Sequence, residues 1–279
     1  MINIKAKDFT VSGEEFTLIK NIKFGYLETT PQPKIEDLPK YYKSEDYISH
    51  TNTRRNWFEK TYHKVRNITL KQKLNLINSF KTEDKSLLDI GCGTGHFLEI
   101  CKNNGWKVTG IEPEKKARDK ANLLIENKVF NSDKLKNLPK ESFDIITLWH
   151  VLEHLPNLEE QVKLIHSLLK TNGTLIIAVP NYNSFDAKHY KSNWAALDVP
   201  RHLWHFNKKS IDLLGQSVGF KLKETKPMWF DAFYVSLLSE QIKSNKRNII
   251  KAFLIGLTSN IMALYTKEAS SHIYILQKD

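Results

Sequence analysis

From Ser86 onward, apolar runs of strand length alternate with segments whose apolar residues recur every three or four positions. Strands are predicted at 86–90, 106–111, 128–130, 143–149 and 174–179, and helices at 97–104, 114–126 and 157–170. The run at 128–130 carries the weakest strand signal. Such alternation predicts an α/β fold with a parallel sheet and right-handed crossovers. Two later runs, 219–225 and 271–276, predict a closing antiparallel pair. Between them, 234–265 reads as one long helix or two shorter ones. Its second part, Asn248 to Tyr265, is apolar almost all round and close to the lower length limit for a membrane span, though Thr258, Ser259 and Asn260 interrupt it. A buried or dimer-forming helix is expected there, so a homodimer is one expectation. Contact of 248–265 with a membrane surface is the other reading.

Ahead of the alternating core, Thr53 to Phe80 is helical in pattern, with Trp57, Tyr62, Val65, Ile68, Leu70, Leu74 and Ile77 at mostly three- and four-residue steps. An amphipathic helix packed on the sheet is the simplest account. Residues 1 to about 48 read instead as short strands, 16–19 and 23–27, punctuated by Pro31, Pro33 and Pro39. The chain has 279 residues. One main domain over 51–279 with an appendage over 1–50 is therefore expected.

Met1 to Thr10 lacks a long apolar core, so no signal peptide is expected. The only cysteines are Cys92 and Cys101, which fits a reducing cytoplasm. The net charge of +11 changes the picture only once it is located. Residues 86–150 carry 10 basic and 9 acidic side chains, whereas 1–85 and 151–279 each carry 16 against 11. Most of the first excess lies between Arg54 and Lys73, where seven basic residues accompany one acid, Glu59. Nucleic acid is not the expected partner. The chain has 36 Lys and 6 Arg, and bidentate phosphate and base recognition favours arginine.

The densest chemical signal is Leu87-Leu88-Asp89-Ile90-Gly91-Cys92-Gly93-Thr94-Gly95. It reads as a buried strand, an acid at its end, a glycine turn and a helix start, an arrangement that lets backbone approach a small ligand closely. The spacing is G-x-G-x-G rather than the dinucleotide G-x-G-x-x-G. A carboxylate just before the turn disfavours a pyrophosphate and favours a cationic amino-acid group. A second strand ends in Glu112, which would lie beside the turn and accept both ribose hydroxyls of an adenosine. The other reading of Glu112 is a solvated acid at a helix start before Pro113.

The segment from Leu87 to about Ala121 resembles motif I and its following acid in class I S-adenosylmethionine-dependent methyltransferases. Further matches are Ser142-Phe143-Asp144-Ile145-Ile146-Thr147-Leu148-Trp149, His150-Val151-Leu152-Glu153-His154-Leu155, Leu169 to Ile177 and Pro200-Arg201-His202-Leu203-Trp204-His205-Phe206. Together they resemble the branch related to ubiquinone-type O-methyltransferases, over roughly residues 50 to 279. The resemblance implies a Rossmann-like, seven-stranded, mostly parallel sheet with helices on both faces and an antiparallel last strand. It implies S-adenosyl-L-methionine as cofactor, S-adenosyl-L-homocysteine as product, and no metal. Asp89, Gly91, Cys92, Gly93, Gly95, Glu112, Trp149 and His150 are then the expected cofactor residues, with Ser132 or Asp133 at the adenine. Tyr42, Tyr47, Ile48 and His50 would belong to a lid over the pocket, Tyr47 on the substrate side. The appendage resembles the zinc ribbon of some members, but Asn21-Ile22-Lys23-Phe24 stands where those carry Cys-x-x-Cys. A degenerate, metal-free ribbon is expected.

His150-Val151-Leu152-Glu153-His154 also matches the H-x-x-E-H signature of a zinc peptidase. Within the methyltransferase reading, Glu153 and His154 either orient the loop after the fourth core strand, or His154 is a general base at the mouth of the site. The second cluster, Trp194, Asp198, Arg201, His202, Trp204 and His205, follows the fifth core strand, at the sheet edge where open α/β folds bind ligands. Arg201 would hold an anionic group, His202 or His205 would take the proton, and Trp194 and Trp204 would stack a ring. The alternative is a structural loop whose histidines satisfy backbone carbonyls. The expected function is methylation of a small, anionic or aromatic acceptor at a hydroxyl. The alternatives are a carbon or nitrogen acceptor such as a nucleotide-linked sugar, a zinc hydrolase through His150 and His154, and a non-catalytic nucleotide-binding module.

Overall fold

The computed structural model describes residues 3–42, 56–246 and 248–279, with side chains in the first helix from Val65 onward. Tyr47, Ile48 and His50 lie outside the described residues. The core strands are β4 (Ser86–Ile90), β5 (Lys107–Ile111), β6 (Val129–Phe130), β7 (Phe143–Trp149), β8 (Leu169–Pro180), β10 (Phe220–Pro227) and β11 (Ser271–Lys278). They form one sheet in the order β10-β11-β8-β7-β4-β5-β6. Strands β4 to β8 run parallel, and β11 runs antiparallel to both β8 and β10. This is the Rossmann-like arrangement with a closing antiparallel pair.

Continuous apolar runs suit such strands because helices cover both faces. The period of two then sends neighbours apart. Leu87, Ile145 and Ile176 pack on one face with α1 (Asn56–Asn78), α2 (His96–Lys102) and α3 (Lys115–Ile125). Leu88, Ile146 and Leu175 pack on the other with α4 (Leu158–Leu168) and α6 (Lys208–Gln216). Helix α4 ends at Leu168, so residues 169–170 open β8 rather than closing the predicted helix.

The first residues form a second sheet. Strands β1 (Asn3–Lys7), β2 (Glu15–Lys20) and β3 (Leu27–Thr30) continue into β9 (Trp204–His205). The predicted strand at 23–27 is instead mostly a turn, because Asn21 Oδ1 accepts from the backbone N–H of Lys23 and Phe24 at 3.0 and 2.9 Å. The appendage is therefore stitched to the loop after β8. Its residues Phe16, Leu18 and Leu27 share a core with Tyr190, Trp194, Leu197 and Val199.

The 234–265 region forms two helices, α7 (Asp231–Ser244) and α8 (Ile249–Thr266), behind the short helix α5 (Phe185–Tyr190). The expectation of a buried α8 is corrected. Its buried positions are the small residues Ala252, Gly256, Ser259 and Ala263, while its large apolar side chains face outward. A Cβ on Gly256 would lie 2.8 Å from the Phe233 ring and 2.9 Å from the Phe233 Cα, so α7 and α8 touch backbone to backbone.

Candidate active site

The glycine turn joins β4 to α2 at the carboxyl edge of the sheet. Gly91 adopts φ +73, and a Cβ there would stand 2.3 Å from Val151 Cγ2, so the turn packs directly on the His150–His154 segment. Gly93 adopts φ +54, but a Cβ there would meet nothing within 4 Å. It is a bare backbone position open to a ligand. Gly95, at φ +81, lets α2 start against Ala121. Three amides of this turn are engaged within the protein: Gly91 and Cys92 donate to the Ile111 carbonyl, and Gly93 donates to Glu112 at 2.8 Å. At these three positions a ligand would meet the Cα and carbonyl surface.

Asp89 is buried at the end of β4 and accepts a 2.6 Å hydrogen bond from Thr147 Oγ1. Burial pushes its carboxyl up to about 7, against the hydrogen bond from Thr147 and the charge of Lys73. Burial also raises the Cys92 thiol, which holds it in the neutral form. Glu112, at the end of β5, accepts from Gly93 and from the Glu114 N–H at 2.9 Å, and burial raises its pKa. A carboxylate has about four lone-pair sites, so both bonds leave acceptor capacity for hydroxyls. Ser132 and Asp133 are exposed in the turn following β6, the strand beside β5.

The other wall comes from the end of β7. Trp149 meets Phe97 edge to face at 5.7 Å, and Lys73 Nζ stands 4.2 Å from its ring centroid. His150 has φ +57, which turns its ring toward Asp231 at the start of α7, 3.2 Å from Nε2, with Glu153 3.5 Å from Nδ1. Burial disfavours the imidazolium, but Asp231 and Glu153 outweigh it and push His150 up to about 10. Burial lowers Lys73, while Asp89 and Asp231 favour its charge. Lys73 and Asp231 were absent from the sequence expectations. One is a lysine among many on α1 and the other an ordinary acid at a helix start; only the fold brings them to Asp89 and His150.

The three candidate bases separate by burial. His154 is half-buried, and its Nδ1 lies 3.0 Å from the Arg201 carbonyl and 3.1 Å from the Tyr42 hydroxyl. A carbonyl only accepts, so Nδ1 carries the hydrogen and Nε2 is the basic nitrogen. His202 is 9 % exposed and bonds through Nδ1 to the Ala196 carbonyl, and burial lowers its pKa strongly, aided by His154 and His205. His205 is 4 % exposed and bonds through Nε2 to the Leu197 carbonyl. The expectation that His202 or His205 takes a substrate proton is corrected: both are enclosed and satisfy carbonyls of their own loop.

The peptidase alternative falls with the geometry. The segment Leu152–His154 is a single tight turn rather than a helix, and His150 is committed to Asp231 and Glu153. Among the described residues, the donor set compact enough for a metal is Glu153, His154 and His202, within 4.8 Å of one another. Two imidazoles and a carboxylate suit a zinc-like divalent ion. Both Glu153 oxygens are buried, and one of them lies 3.5 Å from His150 Nδ1.

The substrate expectations for the second cluster are also corrected. Arg201 is 1 % exposed. Its guanidinium donates to Asp198 at 2.7 Å, Asp8 at 3.0 Å and the Tyr41 carbonyl at 2.9 Å. With Nε also donating to Asp198 at 3.0 Å, four of its five N–H donors are engaged and the group is enclosed, away from a substrate anion. Trp194 Nε1 donates to buried Asp186, and Trp204 Nε1 donates to the Leu155 carbonyl, each at 2.8 Å. Both rings are core, and the gap they line with His202 and His205 leaves no room for a water molecule. Tyr47 lies outside the described residues.

Comparison with known proteins agrees with this geometry. A family model described as a methyltransferase domain matches residues 62–225. The ubiquinone biosynthesis O-methyltransferase of Pelagibacter ubique is 36% identical over 123 residues, covering 39% of this chain and 50% of that protein. The enzyme of the same name from Bradyrhizobium diazoefficiens is 29% identical over 131 residues, covering 44% and 51%. The chain thus spans about half the length of the curated relatives it matches. Among solved structures, a SAM-dependent methyltransferase from Archaeoglobus fulgidus superposes with a TM-score of 0.52 at 20% identity, over 80% of this chain and 100% of that one. One from Thermotoga maritima gives 0.51 at 18% identity, over 78% and 96%. These likenesses show the fold. With the family model covering more than half of its 279 residues, the chain belongs to the methyltransferase-domain family, in the class I S-adenosylmethionine-dependent group.

Proposed function

We propose that this protein transfers a methyl group from S-adenosylmethionine to a hydroxyl of a small-molecule acceptor. The observation that carries the reading is the bare backbone at Gly93, flanked by Asp89 and Glu112 at adjacent strand ends. When bound, the cofactor supplies an electrophilic methyl on a sulfonium. Asp89 faces its ammonium group, Glu112 accepts from the ribose hydroxyls, and Ser132 or Asp133 meets the adenine. Trp149 and His150 line the amino-acid end. His154 Nε2 would take the proton from the acceptor hydroxyl as the new C–O bond forms and the methyl–sulfur bond breaks, its electron pair leaving on the sulfur of S-adenosylhomocysteine, a role worth roughly 10²–10⁴-fold in rate. The relatives named for O-methylation in ubiquinone biosynthesis support oxygen as the acceptor atom and an aromatic acceptor. The appendage over 1–50, through its strands β1 to β3, acts as a metal-free ribbon that braces the acceptor side.

Calorimetry with S-adenosylhomocysteine tests the cofactor assignment. Binding at micromolar concentration is expected, with loss in Asp89→Ala and Glu112→Ala, and no binding at high micromolar concentration defeats the reading. With an acceptor in hand, His154→Ala is expected to bind normally and turn over at least about a hundredfold more slowly. Unchanged turnover removes His154 as the base.

A further inference from the structure

Helix α8 wears its large side chains on the outside. Ile250 is 76% exposed and Tyr265 80%, and Ile249, Phe253, Leu254 and Leu264 are each more than half exposed. At about 100° per residue, the exposed apolar positions of α8 from Ile249 round to Met262 span an arc of roughly 220°. Trp229, Phe230 and Tyr234, at the root of α7, extend the surface, and Asn260 ties it together by donating to the Trp229 carbonyl at 2.8 Å.

The shape of this surface selects its occupant. One partner helix covers a seam two positions wide in every seven, much narrower than this arc. Acyl chains wet a convex apolar arc of any width. Exposed Lys243 and Lys246 lead into α8 and exposed Lys267 follows it, while the neighbouring acid Glu268 is half-buried and accepts from Asn181 at 2.8 Å. The acids of α7 are already engaged, Glu240 by Lys251 at 3.0 Å and Asp231 by His150. Aromatic side chains at the margin and a lysine rim are what an anionic lipid surface favours.

Helix α8 is long and apolar enough to cross a bilayer, yet the fold keeps it in the plane. Its inner face is packed on Phe233, and Ser259 Oγ donates at 2.7 Å to buried Asp186, which also accepts from Trp194 and Ser270. Spanning would strip these partners from a buried carboxylate. We infer that the α7–α8 hairpin seats the protein on an anionic membrane surface, with the outer face of α8 lying at the acyl boundary.

Sedimentation of the full chain with vesicles of phosphatidylcholine and phosphatidylglycerol tests this, with Ile250→Glu/Leu254→Glu as the variant. Both substituted residues point outward, so circular dichroism and the melting temperature are expected to match those of the parent. The parent is expected to sediment with the vesicles, and the variant to bind more than about tenfold more weakly. A parent that stays in the supernatant overturns the inference, as does a folded variant that sediments equally well. Analytical ultracentrifugation supplies the remaining outcome. A parent dimer that the variant dissociates, with no vesicle binding by either, makes this face an interface between copies and overturns the membrane assignment.

Discussion

Arg201 Nη2 and Asp8 Oδ1 lie 3.0 Å apart, each residue 1 % exposed, with 193 positions of sequence between them. Despite burial, the Ser12 and Thr10 amides and then Arg201 hold the Asp8 carboxyl below its usual range. Removing one partner of such a pair leaves an uncompensated buried charge. Arg201→Met is therefore expected to cost about 3–5 kcal/mol of unfolding free energy, read by urea denaturation. If Arg201 were a substrate anchor, the variant would keep its stability and lose only acceptor affinity.

Gly91 and Gly93 share a left-handed conformation but predict different losses. Gly91→Ala drives a methyl into Val151 and is expected to lower the melting temperature sharply. Gly93→Ala meets open space, so it costs only about 1–2 kcal/mol of backbone strain. It is expected to stay folded while S-adenosylhomocysteine affinity falls by more than about tenfold. Calorimetry beside a melting curve separates the two; equal affinity in Gly93→Ala removes the turn from the cofactor site.

Asp89 gives affinity a pH dependence. Its folded pKa, about 7, lies above the ordinary 3.8, so as pH rises from about 4 through 7 the carboxylate ionises at a cost to the empty protein. A ligand ammonium favours that ionised form. S-adenosylhomocysteine affinity is expected to rise between about pH 6 and 8 with release of a proton. Calorimetry in buffers of different ionisation enthalpy reads that proton, and Asp89→Asn is expected to bind weakly with a flat profile.

His150 acts on stability, with the same sign that Asp89 has in the empty protein. Its folded pKa of about 10 stands above the ordinary 6.5, so its stabilisation is full below about pH 6.5 and is lost as pH rises toward 10. Asp231→Asn is expected to flatten the fall in melting temperature across that window. An unchanged slope would mean that the 3.2 Å contact between His150 and Asp231 carries no charge.

The core was legible in sequence because its signals are local. Leu87-Leu88 and Ile145-Ile146 each send one side chain to either sheet face, and Asp89 and Glu112 sit where the strands end. For the cluster after β8 the sequence leaves both readings open, because composition cannot separate a binding loop from a braced one. Arg201, Trp194 and Trp204 have the chemistry of a site, but their partners are Asp8, Asp186 and the Leu155 carbonyl, all remote or unmarked in sequence. For α8 the buried reading fails for a related reason, since an all-apolar pattern does not show that the small residues turn inward and the large ones outward; the dimer-forming and membrane-surface readings both fit that exposed face.

The junction of β3 with β9 has a consequence for how this enzyme can diversify. Thr29 bonds the His202 carbonyl through Oγ1 and the Leu203 carbonyl through its amide, and Arg201, clamped by Asp8, presents the carbonyl that orients His154. A mutation at Asp8 or Thr29 is thus transmitted to the loop that holds His154, whereas Gly93 has no neighbour within 4 Å of its would-be Cβ. The acceptor half can drift under one selection and the cofactor half stay fixed under another, two inheritances carried by one chain.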